Sequence, residues 1–136
     1  MARSSISPSA LSKLKELASW LQTAEMEEEE KNTFRCVDSD RHVKLLPLLD
    51  ELGYRIKGHG YTMYRITGKA AINVTPKHRS FFFPLTIGSE KDAPSSELQV
   101  AGESLALGDF VHYTSPFILN TKLDFLIVLL PDPSEN

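Results

Sequence analysis

"YRIKGHGYTMYRITGKAAINVT", Tyr54 to Thr75, decides the fold. Before it, apolar residues recur every three or four positions. Within it the period falls to two, and Gly-His-Gly and Gly-Lys interrupt it as turns. Alternation with Tyr, Ile, Thr and Val enriched, cut by glycines, is the pattern of antiparallel strands. The stretch reads as a three-stranded meander, "YRIK", "YTMYRIT" and "AAINVT".

Working outward toward the N-terminus, Ser7 and Pro8 form a helix start: a serine hydroxyl accepts from an orphan amide, and proline suits the first helical position. Ala10, Leu14, Leu17 and Leu21 follow at helical spacing, with Leu11 and Ala18 widening the stripe. This predicts an amphipathic helix over 8–26. The next stretch, "EMEEEEK" at 25–31, holds five glutamates. Like charges at a helix C-terminus oppose the macrodipole, so the stretch reads as an exposed acidic linker. "TFRCV" at 33–37 reads as a short strand. Asp38 and Ser39 then offer caps for a second helix over 39–52, whose Leu45, Leu48, Leu49 and Leu52 share one face and which Gly53 stops. Pro47 either kinks that helix or starts it.

Toward the C-terminus, "SFFFPLTI" at 80–87 reads as a strand kept at an edge or bulge by Pro84. Residues 88–97 form the long loop, and "LQVAGESLALGDFVHYT" supplies two or three more strands. Leu123 to Leu130 is apolar without alternation, as a strand covered on both faces would be. Two helices followed by about seven strands, within 54–130, predict an α+β fold. The expectation is one domain over 1–136, with both N-terminal helices packed on one face of a largely antiparallel, roughly seven-stranded sheet.

The 136 residues, 41% hydrophobic and 24% charged, fit a globular chain rather than a disordered or fibrous one. One cysteine, Cys36, excludes an internal disulfide and a thiolate-built metal site. The N-terminus lacks an apolar leader, and the longest apolar run, Phe125 to Leu130, is too short to cross a bilayer. The expectation is therefore a soluble, intracellular protein without a membrane partner.

No complete catalytic, metal-binding or nucleotide-binding motif is present. His42, His59, His78 and His112 lie far apart, with no pair at ligand spacing, and no Gly-rich loop joins a strand to a helix. The sequence thus predicts a non-enzymatic protein without metal or cofactor. What stands out is charge. Residues 1–40 carry a net −3, residues 41–80 a net +6, and residues 81–136 a net −6, within a chain of net −3. The basic middle is Arg41, Lys44, Arg55, Lys57, Arg65, Lys69, Lys77 and Arg79, with His59 and Tyr61 among them. Cations beside an aromatic on a sheet face suit an anionic partner, nucleic acid first. Arg55, Lys57 and Arg65 would carry the charge and Tyr61 would stack.

"SDRHVKLLPLLDELGYRIKGHGYTMYRI" also resembles the last helix and wing of winged helix-turn-helix DNA-binding domains, in which a capped helix ends at a glycine and runs into a hairpin. The resemblance covers Ser39 to Ile66. It departs from that pattern at Pro47 and in lacking a compact helix-turn before the helix. The alternative reading is a protein-interaction module, an adaptor, inhibitor or assembly subunit, using exposed aromatics such as Phe81 to Phe83 with charged flanks to orient the partner.

Overall fold

The computed structural model describes residues 3–86, 98–100 and 103–131. The long loop expected at 88–97 lies wholly outside them. In chain order the elements are β1 (Arg3–Ser5), α1 (Pro8–Leu21), β2 (Met26–Glu30), β3 (Thr33–Cys36), α2 (Arg41–Leu52), β4 (Gly60–Ile66), β5 (Lys69–Ile72), β6 (His78–Pro84), β7 (Leu98–Val100), β8 (Glu103–Leu105), β9 (Asp109–Tyr113), β10 (Phe117–Asn120) and β11 (Leu123–Pro131).

Seven strands form one antiparallel sheet in the order β1-β9-β6-β11-β4-β3-β2. Both helices lie on one face, and two-stranded pairs, β5 with β10 and β7 with β8, are the other strand pairings among the described residues. The α+β expectation is what the chain folds into. The apolar β11 is central, flanked by β6 and β4. That position explains its lack of alternation: Leu126, Val128 and Leu130 join the core under the helices, while Phe125 and Ile127 join a second core on the far face. Each such side chain, fully buried, contributes about 1.5–3 kcal/mol. Phe81 and Phe83 point to the helix core and Phe82 to the far core, so all three rings are buried.

Four local expectations are corrected. First, α1 starts as predicted, with the Ser7 hydroxyl accepting from the Ala10 amide at 3.1 Å, but it ends at Leu21, not 26. The glutamates that follow avoid the helix end by forming β2, where an edge strand leaves them exposed to water and Asn32, at φ 67°, turns the chain into β3. Their mutual repulsion guards the sheet edge instead of fraying a helix.

Second, Tyr54 to Lys57 make no strand; after Gly53 closes α2 in the left-handed conformation, the chain turns through 54–59 into β4. The other two strands expected there do not pair with each other: β4 lies between β11 and β3 and β5 pairs with β10, so no meander forms and no wing hairpin follows α2. Third, α2 runs over Pro47 without interruption. Pro47 is exposed, on the side where the Val43 carbonyl, deprived of its usual donor, faces away from the leucine stripe. Fourth, β6 is an interior strand. Pro84 is tolerated because β9 pairs only with Ser80 to Phe82, so no ladder bond is lost to it on that side.

Candidate anion-binding end of the sheet

The basic residues divide into those that structure consumes and those it leaves together. Arg65 belongs to the first group. It sits directly across from Asp124 in the β4–β11 ladder, on the helix-covered face. Its Nε donates to Asp124 Oδ1 at 2.8 Å and its Nη2 to Oδ2 at 3.1 Å. Nη2 also donates to the Leu21 carbonyl at the end of α1 at 3.1 Å, beside the bond that carbonyl accepts from the Ala24 amide at 3.2 Å. Gln22 Nε2 adds a bond of 2.8 Å to Asp124 Oδ2, and Asp124 is 4% exposed. The hydrogen bonds that Arg65 donates to the Asp124 carboxylate hold the guanidinium above its ordinary pKa, against the opposing effect of burial. This pair ties α1 to the sheet centre, and Arg65 is not offered to a partner.

Arg55 lies 3.5 Å from Asp50 on the same end of α2, both side chains 55% exposed, a pair worth little in water. Lys69 opens β5, beyond the far end of β4. Seven residues of strand at ~3.3 Å each set it about 20 Å from the start of β4.

The second group meets at that start. His78 opens β6 opposite Pro131, and a Cβ on Gly58 would fall 2.9 Å from the Pro131 ring, so the turn carrying Lys57 and His59 and the turn carrying Lys77 and His78 flank the same end of β11 at Pro131. Gly58, at φ 87°, is required for that approach. Lys57 and Lys77 are exposed. His59 Nδ1 donates to the Ile56 carbonyl at 2.7 Å, and His78 Nδ1 to the Pro76 carbonyl at 3.0 Å. Since a carbonyl only accepts, each Nδ1 carries the proton, and Nε2 is the second nitrogen outside that bond.

Tyr61, one residue into β4, joins the start of α2 to the same end. Its ring stacks on His42 at 5.8 Å, and its hydroxyl lies 3.2 Å from His42 Nδ1. Burial raises the Tyr61 phenol above its ordinary pKa, with Arg41 opposing. Arg41 itself is exposed and held by one bond, Nη1 to the Asp38 carbonyl at 2.9 Å. Arg79, next along β6, places its guanidinium carbon 5.9 Å from the Phe81 ring centre, and Phe81 stacks in turn on His112 at 5.0 Å. Lys44 is exposed on α2, one turn beyond Arg41.

Across 54–80, the whole stretch that builds both turns, no Asp or Glu occurs. The arrangement is an array of cations carried on backbone turns and the strands that follow them. Among the described residues no group of three His, Cys, Asp or Glu side chains is placed to hold a metal, and no helix is long and apolar enough to cross a membrane. Cys36 is buried and its thiol is raised by burial, which disfavours a reactive thiolate.

No family model, curated protein or solved structure matches the chain. Function is therefore argued from this geometry alone.

Arg79, with His42 and His78, falls in the basic stretch of the sequence, but its stack through Phe81 on His112 is not visible there; these groups converge through the β6–β11, β4–β11 and β6–β9 registers, which join residues about 30 to 70 apart in sequence. A second feature missed by periodicity lies between the helices. Lys13, Glu16, Leu17 and Trp20 of α1 face Val43, Lys44 and Pro47 of α2 across a cavity of about 300 Å³.

Proposed function

We propose that this protein is a non-enzymatic binding protein whose basic sheet end engages an anionic partner, most plausibly nucleic acid. The observation that carries the reading is that two carboxylate-free turns, bearing Lys57, His59, Lys77 and His78, flank Pro131 at one end of β11, beside Arg79 and the Arg41–His42–Tyr61 corner. Clustered cations on a carboxylate-free stretch suit a phosphate backbone, which is bound through charge neutralisation and counterion release. Tyr61 is half-buried beneath His42, so its part is to position that ring more than to stack on a base. Arg65 and Lys69, which share the basic stretch in sequence, play no part in this reading.

Fluorescence anisotropy of labelled duplex DNA and single-stranded RNA, titrated at several salt concentrations, tests it. The expected result is a steep salt dependence, with log affinity falling by about 0.9 per log unit of salt for each duplex phosphate neutralised. Lys57→Glu with Lys77→Glu should weaken binding at least tenfold at low salt, while Lys69→Glu, at the other end of β4, should leave it unchanged. Absence of binding at low salt, or equal effects of Lys69→Glu and the double reversal, would overturn the reading.

A further inference from the structure

We propose that the groove between α1 and α2 docks the apolar face of an acidic amphipathic helix from a partner protein. Leu17 is the floor of this groove, 2% exposed, and Trp20, Val43 and Pro47 are its walls. Val43 is 66% exposed, the highest value among the exposed large hydrophobics of the described residues. Its exposure is not explained by the helix pattern, because the α2 stripe that meets the sheet is Leu45, Leu48 and Leu49. Trp20 likewise falls outside the α1 stripe of Ala10, Leu14, Leu17, Ala18 and Leu21.

The geometry suits a helix. Lys13, Leu17 and Trp20 succeed one another at i, i+4 and i+7 on α1, and Val43 and Pro47 at i and i+4 on α2, so each helix offers the groove side chains at helical spacing. An amphipathic helix fills such a groove with side chains at matching spacing. A cavity of about 300 Å³ is at the lower limit for a small-molecule pocket and fits instead one or two anchoring side chains of a longer ligand. Trp20 is of the residue type most enriched at interface anchor points, and the exposed Val43 leaves apolar surface beside it.

Charge selects the partner's sign. Lys13 and Lys44 stand on opposite rims, and neither forms an ion pair among the described residues. Glu16 is the one acidic residue of the lining, and α2 from Arg41 to Leu49 contains no carboxylate. Pro47 also leaves the Val43 carbonyl without its helical donor, an acceptor at the groove wall for an amide at the partner helix's first turn.

Trp20 is the chain's one tryptophan, so its emission reports occupancy directly. The full-length protein is titrated with a synthetic helical peptide bearing Leu at i, i+4, i+7 and i+11 and Glu on the flanks, and with the same peptide bearing Lys in place of Glu. The acidic peptide should shift Trp20 emission to shorter wavelength and saturate; the basic one should not. Val43→Asp should weaken the acidic peptide at least tenfold, and because Val43 is exposed the circular dichroism should be unaltered. Lys13→Glu with Lys44→Glu should reverse the preference between the peptides. Lys57→Glu with Lys77→Glu should leave peptide binding intact, which separates this site from the sheet end. A response equal for both peptides, none for either, or displacement of the peptide by short duplex DNA would overturn the proposal.

Discussion

At the scale of single residues, Arg65 shows how a correct reading of side-chain direction can still assign the wrong role. Alternation places Tyr61, Met63 and Arg65 on one face of β4, and they do share it. Met63, however, is 1% exposed: that face is the one the helices cover. Which face the helices take is decided by long-range packing, so a cation on an alternating strand looks like a surface charge until its opposite number, 59 residues away, is in place. Once placed, the pair is structural. Removing one member of a buried ion pair leaves the other desolvated, at a cost of 3–5 kcal/mol; with the Arg65 side chain 29% exposed, water recovers part of that. Asp124→Asn should therefore destabilise the fold by about 3 kcal/mol in urea titration at neutral pH. Arg65→Met combined with Asp124→Leu should cost less than the single change, because no charge is left unpaired. A loss below about 0.5 kcal/mol for Asp124→Asn would show that the pair does not hold α1 to the sheet.

At the scale of elements, legibility followed the number of residues that agree with one period. The leucine stripes give both helices, and the unbroken apolar run gives the central strand β11. The elements that differed are those in which a local rule met a competing one. "EMEEEEK" has no apolar period of its own; β2 forms because β3 supplies a backbone ladder, with Met26 opposite Cys36, and an edge position solvates the carboxylates. "YRIK" alternates well, yet Gly53 and Gly58 bracket it so closely that it turns instead. Pro47 is the clearest conflict: a helix breaker in the interior of α2, held because the leucine stripe beside it is buried under tertiary contacts. Proline costs about 3 kcal/mol relative to alanine inside a helix, offset in part by the freedom it removes from the unfolded chain. Pro47→Ala should raise stability by about 1–2 kcal/mol, seen as a higher thermal midpoint. A lower midpoint would mean that the proline ring's contacts in the interhelical groove outweigh the helix penalty.

At the scale of the whole molecule, charge was legible as a count but not as a direction. A net +6 over 41–80 is visible in the sequence, whereas the fold sends Arg65 inward and Lys69 to the opposite end, and gathers the rest where β4 and β6 begin. The acidic strand β2 runs antiparallel to β3, and its last residue, Glu30, is level with Thr33, which in turn pairs with Ile66 at the far end of β4. The glutamates are therefore stacked toward the corner diagonal to the basic end. Such a separation makes the molecule a dipole, which orients it toward a polyanion while the overall charge of −3 slows the approach. Replacing Glu27, Glu28, Glu29 and Glu30 by glutamine changes the net charge from −3 to +1 without touching the turns that carry Lys57 and Lys77. If those turns bind nucleic acid, stopped-flow association with labelled DNA should become several-fold faster at low salt, with the gain vanishing at high salt as screening shortens the reach of the field. The dissociation rate should stay constant, since the contacts in the complex are unaltered. A change confined to dissociation would instead place β2 within the contact surface, and would move the binding site from the strand ends to the acidic edge of the sheet.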